Sequence, residues 1–199
     1  MRKIITIGRK YGSGGRYIAK KVAEKLGVKC YDNELLLKIA KDNGLSEAVV
    51  KEYDEKGALL SNLYCSFVND NSLQGKLIEA QFSTILSLAD KEDCVIVGRC
   101  ADYILRNVHS VLSVFITSDM ESRVKRGIEF YNLEPDKAED IIKKNDKRRA
   151  SYYNFYTDKK WGRADSYHLC VDSAIGIDET ADIIIKYSED FFNKKSLKK

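Results

Sequence analysis

The apolar positions of this chain fall into short runs separated by longer stretches of helical periodicity. Lys3-Ile4-Ile5-Thr6-Ile7, Val28-Lys29-Cys30-Tyr31, Cys94-Val95-Ile96-Val97, Val111 to Ile116 and His168-Leu169-Cys170-Val171 each read as a strand. Runs this short and largely apolar suit strands covered on both faces, as in a parallel sheet. After the first run, Ile18, Val22 and Leu26 repeat at helical spacing and stop at Gly27, a natural C-terminal glycine. Residues 33–43 predict a second helix, and Ser46 caps a third reaching about Lys56; residues 57–75 carry no clear pattern. A helix from about Leu73 to Asp90 puts Ile78, Phe82, Ile85 and Ala89 on one face, and a short helix is expected around Tyr103-Ile104-Leu105. Ser118-Asp119-Met120-Glu121 reads as a capping box opening another helix. Pro135 suits the first position of a long helix ending near 156. Asp178 begins the last, with Ile183, Ile184 and Ile185 facing inward. Five strands alternating with helices predict an α/β protein with a doubly wound five-stranded parallel sheet. The expected organisation is one domain over residues 1–193, a helical insert at 44–92, and a basic tail at 194–199.

Composition narrows the function. The net charge is +4, from 34 basic and 30 acidic residues, but the tail Lys194-Lys195-Ser196-Leu197-Lys198-Lys199 holds four of the lysines. The folded body is therefore neutral, which argues against a domain that coats nucleic acid. The tail reads as a solvated, frayed end. Cys30, Cys65, Cys94, Cys100 and Cys170 form an odd set without CxxC spacing, and His109 and His168 are the only imidazoles. Neither a disulfide framework nor a zinc site is expected, and the strand cysteines read as small reduced hydrophobes. No signal peptide precedes the first strand pattern, and no apolar run approaches the roughly 20 residues that cross a membrane. These features predict a soluble cytoplasmic protein, with no nucleic-acid or membrane partner.

The most informative stretch is Gly8-Arg9-Lys10-Tyr11-Gly12-Ser13-Gly14-Gly15, between the first strand and the first helix. A strand that turns through glycines into a helix gathers backbone N–H groups and a helix N-terminus at one point, which favours a phosphate. The strict pattern GxxxxGK[ST] is not met. With Gly14 as the last loop glycine, Gly15 takes the lysine position and Arg16 follows, then Tyr17. Arg16 could reach the β- and γ-phosphates from the first turn, and Ser13 could offer its hydroxyl to phosphate or metal.

The segment IITIGRKYGSGGRYIAKKVAEKLGVKCYDNELL resembles the start of the cytidylate kinase-like family, where a GSGGR-type loop replaces the lysine form. The resemblance continues through VIVGRCADYIL, SVFITSDMESRVKR and DKRRASYYNFYT, and is weakest over 44–92. It implies a P-loop nucleoside monophosphate kinase fold with a short lid at Gly127 to Lys137. It also implies ATP and Mg²⁺ as donor and metal, and nucleotide substrates. On this reading the donor is held by Gly12, Ser13, Gly14, Gly15, Arg16 and Tyr17, with Arg123 and Arg126 from the lid-flanking helix and Ser13 on the metal. The acceptor is held by Asp32, Lys38, Arg99, Asp146 and Arg148. Arg16, Arg126 and Arg149 carry the developing charge. Cys100 stands where cytidylate kinases have an aspartate, so cytosine recognition does not carry over.

Phosphoryl transfer asks for two phosphate chains in line and cations on the developing charge, and several arginines here sit at strand ends or on helices around one predicted lid. For any one arginine a solvated helix face explains the residue as well, and for Asp32 so does helix capping. Tyr152, Tyr153, Tyr156 and Trp161 could stack on a base, although packing of the helix explains them better. Two functions compete: an ATP-dependent kinase acting on a CMP-like nucleoside monophosphate or similar small acceptor, and a nucleotide-binding regulator with a degenerate loop. The oligomeric state is not legible.

Overall fold

The computed structural model describes residues 2–32, 73–107 and 110–196. The helices expected at 33–43 and from Ser46 to Lys56 lie outside them, as do Lys38, Cys65 and His109. The elements run β1 (Lys3–Arg9), α1 (Gly15–Leu26), β2 (Lys29–Tyr31), α2 (Leu73–Lys91), β3 (Cys94–Val97) and α3 (Ala101–Ile104). They continue with β4 (Ser110–Thr117), α4 (Met120–Tyr131), α5 (Ala138–Tyr156), β5 (Leu169–Asp172) and α6 (Ile177–Ser196). The strands form one sheet in the order β2-β3-β1-β4-β5, every pair parallel, as the apolar runs predicted.

Strand alternation divides the core between the two faces of the sheet. Ile5, Ile7, Val95, Val97, Leu112 and Val114 point to one side, where Ile18 and Val22 of α1 and Ala181 and Ile184 of α6 cover them. Ile4, Ile96 and Val111 point to the other, against Ile85, Leu88 and Ala89 of α2. Each fully buried isoleucine or leucine contributes roughly 1.5–3 kcal/mol relative to exposure. Gly27 ends α1 in the left-handed conformation, its amide reaching Ala23 and Glu24 carbonyls.

Several boundaries differ from expectation for local reasons. The cap of α4 is Asp119, not Ser118: its Oδ1 accepts the Ser122 amide at 2.8 Å. Ser118 is buried and faces Arg126 instead. Pro135 lies in a turn, and α5 begins at Ala138. Because α4 continues to Tyr131, the connection to α5 is only residues 132–137, shorter than the lid expected from Gly127. Gly127 is buried in α4, beside Leu133 and Ile142. On α6, Ile184 is buried whereas Ile183 is 43% exposed, since three consecutive helical positions cannot share one face. Cys170 is exposed on the edge strand, unlike Cys94. The last helix runs on through Ser196, so Lys194 to Ser196 are helical, and the rest of the expected tail lies outside the described residues. No helix among the described residues is long and apolar enough to cross a membrane.

The contrast on α6 is testable by urea unfolding. Ile184→Ala is expected to cost about 2–5 kcal/mol, and Ile183→Ala less than about 0.5 kcal/mol.

Candidate active site

β1 is the central strand, so its carboxyl end is flanked by those of β3 and β4, the edge at which open α/β sheets bind ligands. The chain leaves β1 at Arg9, loops through Lys10 to Ser13, and enters α1 from Gly14, which sits at φ 72°. Gly12 has φ 76°, and a Cβ there would lie 2.6 Å from the Arg123 carbonyl oxygen; only glycine fits. Among the described residues the amides of Gly12, Gly14 and Gly15 make no hydrogen bond. With the N-terminus of α1 they form an anion cradle.

The loop is fixed from outside by side chains for which the sequence suggested donor-binding, acceptor-binding or catalytic roles. Asp146 of α5 accepts the Tyr11 amide at 2.7 Å on Oδ1 and pairs with Arg123 through Oδ2. Arg123 is 4% exposed, and its Nε donates to the Tyr11 carbonyl at 2.7 Å. Both residues thus clamp the loop, each engaged by Tyr11 and by the other. Arg126 donates to the Ser173 carbonyl at 2.6 Å while lying beside Gly14, where a Cβ would be 3.7 Å from its Cδ. The Ser173 hydroxyl reaches the Ser13 and Thr117 carbonyls at 2.7 and 3.0 Å, joining the loop to the ends of β4 and β5. Tyr17 packs against Phe130 and Tyr131 at the end of α4, with ring centroids 4.9 and 6.5 Å away.

The cleft in front of this loop is lined by Arg9, Arg16, Asp32, Tyr131 and Arg149 together with loop glycines. Arg16 forks onto Oδ2 of Asp32, Nε at 2.9 Å and an Nη at 2.8 Å. Arg149 donates to the Arg9 carbonyl at 3.0 Å and lies over the Tyr11 ring; burial pushes it below the usual arginine range, against the pull of Asp146. Arg148, one residue back on α5, is not in the cleft lining. Arg99 follows β3 on a left-handed turn in which Gly98, Arg99 and Cys100 all have positive φ, at 74°, 58° and 56°. Two such non-glycine residues cost roughly 1–2 kcal/mol each, strain of the kind found at functional sites. Arg99 lies over the Tyr152 ring. Arg9, missed by sequence reasoning, is pushed well below the usual arginine range by burial and by the charges of Arg149 and Arg99. The available signal was its place at the ligand-binding end of the central strand.

Magnesium does not fit the side chains expected to hold it. Ser13 is fully buried and its hydroxyl donates inward to the Lys10 carbonyl at 2.8 Å. The position after Gly15 is a cation paired with Asp32, and no group of three or more His, Cys, Asp or Glu gathers among the described residues. The aromatic cluster is structural: Tyr153 is buried and donates to Asp102 Oδ2 at 2.7 Å, tying α5 to α3. Trp161 packs edge-on against Phe115.

A parallel 2-3-1-4-5 sheet with a glycine loop at its central strand defines a P-loop protein of kinase type. The chain belongs to the cytidylate kinase-like family, whose model matches residues 4–175. A solved structure of an uncharacterized protein from Eubacterium ventriosum is 34% identical, with TM-score 0.75, covering 94% of this chain and 99% of that one. Shikimate kinase from Bacteroides thetaiotaomicron shares the fold at 16% identity and TM-score 0.57, covering 94% and 98% of the two chains. A gluconokinase from Sinorhizobium meliloti does so at 13% identity and TM-score 0.55, covering 98% and 94%. No curated protein matches the chain.

Two outcomes follow from this geometry. Arg99→Gly is expected to raise unfolding stability by about 0.5–1 kcal/mol through relief of the left-handed turn, while weakening binding of a phosphate monoester, measured by calorimetry. Burial raises the pKa of Asp102 above its unfolded value, so its contribution is fully present below the ordinary aspartate range and is lost as pH rises through the raised value. Asp102→Asn should therefore unfold at higher denaturant than wild type at pH 7, with the advantage shrinking as pH falls toward about 4.

Proposed function

We propose that this protein transfers the γ-phosphoryl group of ATP to a nucleoside monophosphate. The observation that carries the reading is the cradle of Gly12, Gly14 and Gly15 amides facing a cleft walled by guanidinium groups. The amides and Arg16 hold the donor phosphates. Arg149, which lines the cleft, and Arg99, near enough to bear on its charge, hold the acceptor phosphate. The acceptor's phosphate oxygen attacks the γ-phosphorus in line, the bond to the β–γ bridging oxygen breaks, and ADP leaves.

The chemistry of the cleft favours a phosphate acceptor over an alcohol. A hydroxyl acceptor must give up a proton to a base, and the carboxylate lining the cleft, Asp32, is held by Arg16. A phosphate monoester, with a second pKa near 6, arrives with its nucleophilic oxygen already deprotonated. Its two negative charges match the concentration of arginines. Cys100 is buried, and burial pushes its thiol up to about 12, so it stays neutral and gives no reason to prefer cytosine.

The second reading, a nucleotide-binding regulator, draws on Gly15 and Arg16 standing in the lysine and hydroxyl positions. Coupled ADP release over a panel of nucleoside monophosphates separates the two. The kinase reading expects ADP formation that depends on one or more monophosphates, and a fall in kcat/KM of about 10²–10³ in Arg149→Ala. Tight ATP binding with no ADP formed on any acceptor would establish the regulator.

A further inference from the structure

The lysine expected of a phosphate loop is absent, yet the arrangement of the loop accounts for its absence. In the pattern GxxxxGK, with Gly14 as the second glycine, the first glycine falls at residue 9 and the lysine at residue 15. This chain has arginine at 9 and glycine at 15. The cation and the glycine have exchanged places. The structure gives the physical reason: a Cβ built on Gly15 would lie 2.6 Å from the Arg9 Cβ and 2.9 Å from its Cγ. Those atoms are the root of the side chain, which cannot swing aside, so residue 15 has no room for lysine while residue 9 is arginine.

From that root the Arg9 side chain crosses in front of the loop to Gly98, where its Nη1 fills the space a Cβ would take. Its guanidinium makes no hydrogen bond among the described residues. It lines the cleft with Arg16 and Arg149, and Arg149 binds only its backbone carbonyl. A half-buried cation beside Arg149 and Arg99, offset by Asp32 and Tyr131 but bonded to no carboxylate among the described residues, sits at a cost that an incoming anion relieves. We propose that Arg9 is the phosphate-binding cation of this loop, taking from the β1 side the position above the glycine amides that the lysine takes from the α1 side. The ligand is the β,γ end of a polyphosphate. This rests on the phosphate-transfer reading of the same cleft.

The test uses the full chain with ATP and inorganic tripolyphosphate as titrants in calorimetry, alongside thermal unfolding. Arg9→Met keeps the aliphatic stem and removes the charge. It is expected to lower affinity for both titrants by the same factor, about 10- to 100-fold, while leaving the unfolding temperature equal or higher. A structural arginine would instead lower the unfolding temperature. The double variant Arg9→Gly/Gly15→Lys returns the cation to the other side and is expected to recover affinity to within about tenfold of wild type. Gly15→Lys alone, with Arg9 in place, should unfold at lower temperature. Arg9→Met binding tripolyphosphate as wild type does, or a folded double variant that fails to recover, overturns the proposal while leaving the cleft a phosphate site. Wild type that binds neither titrant overturns the phosphate-transfer reading itself.

Discussion

The geometry of the cleft depends on one carboxylate. Asp146 reaches from α5 across to the loop after β1, taking the Tyr11 amide on one oxygen and Arg123 of α4 on the other. Arg123 closes the ring by donating to the Tyr11 carbonyl. Three segments far apart in the chain thereby meet at a single residue of the loop, and all the groups involved are largely withdrawn from solvent. Withdrawn charges cost several kcal/mol each when left without a partner, so the three segments hold or release together. This is what keeps the glycine amides turned outward: the loop's polar atoms on the inner side are already satisfied, by Asp146, Arg123 and the inward Ser13 hydroxyl.

The arginines accordingly fall into two groups. Arg123, Arg126 and Arg16 are bound to protein acceptors, Asp146 and Tyr11, Ser173, and Asp32 respectively. Arg9, Arg99 and Arg149 stand close together around the carboxyl ends of β1 and β3 and the facing side of α5: Arg149 donates to the Arg9 carbonyl, and each depresses or is depressed by another. The first group builds the loop; the second concentrates positive potential in front of it. A field of this kind, held in place by backbone and packing, needs no rearrangement when a polyanion arrives.

Much of the frame was legible in the sequence. The central strands are apolar on both faces, so runs such as Cys94–Val97 identify themselves without any partner being known. The helix after the loop carries its own period and its own terminal glycine. What was not legible depends on distance in the chain. That Asp146 pairs with Arg123 depends on a contact over 23 positions, and nothing local announces it. Ser118 and Asp119 both suit a cap, and only the packing of Ser118 beside Arg126 decides between them. Arg9 was passed over because the loop pattern directs the eye to the residue after the last glycine, whereas the cation here lies before the first.

The contact between Arg9 and Gly15 also constrains how such a loop can arise by single substitutions. Lysine at 15 and arginine at 9 exclude each other sterically, so the two positions are epistatic, and any route between the two loop forms must pass through small residues at both. That intermediate has a cradle of amides but neither cation. The path therefore crosses a point of weakened anion binding that only the remaining guanidinium groups, Arg149 and Arg99 foremost, can carry. Their abundance at this sheet edge is the condition under which the exchange becomes accessible.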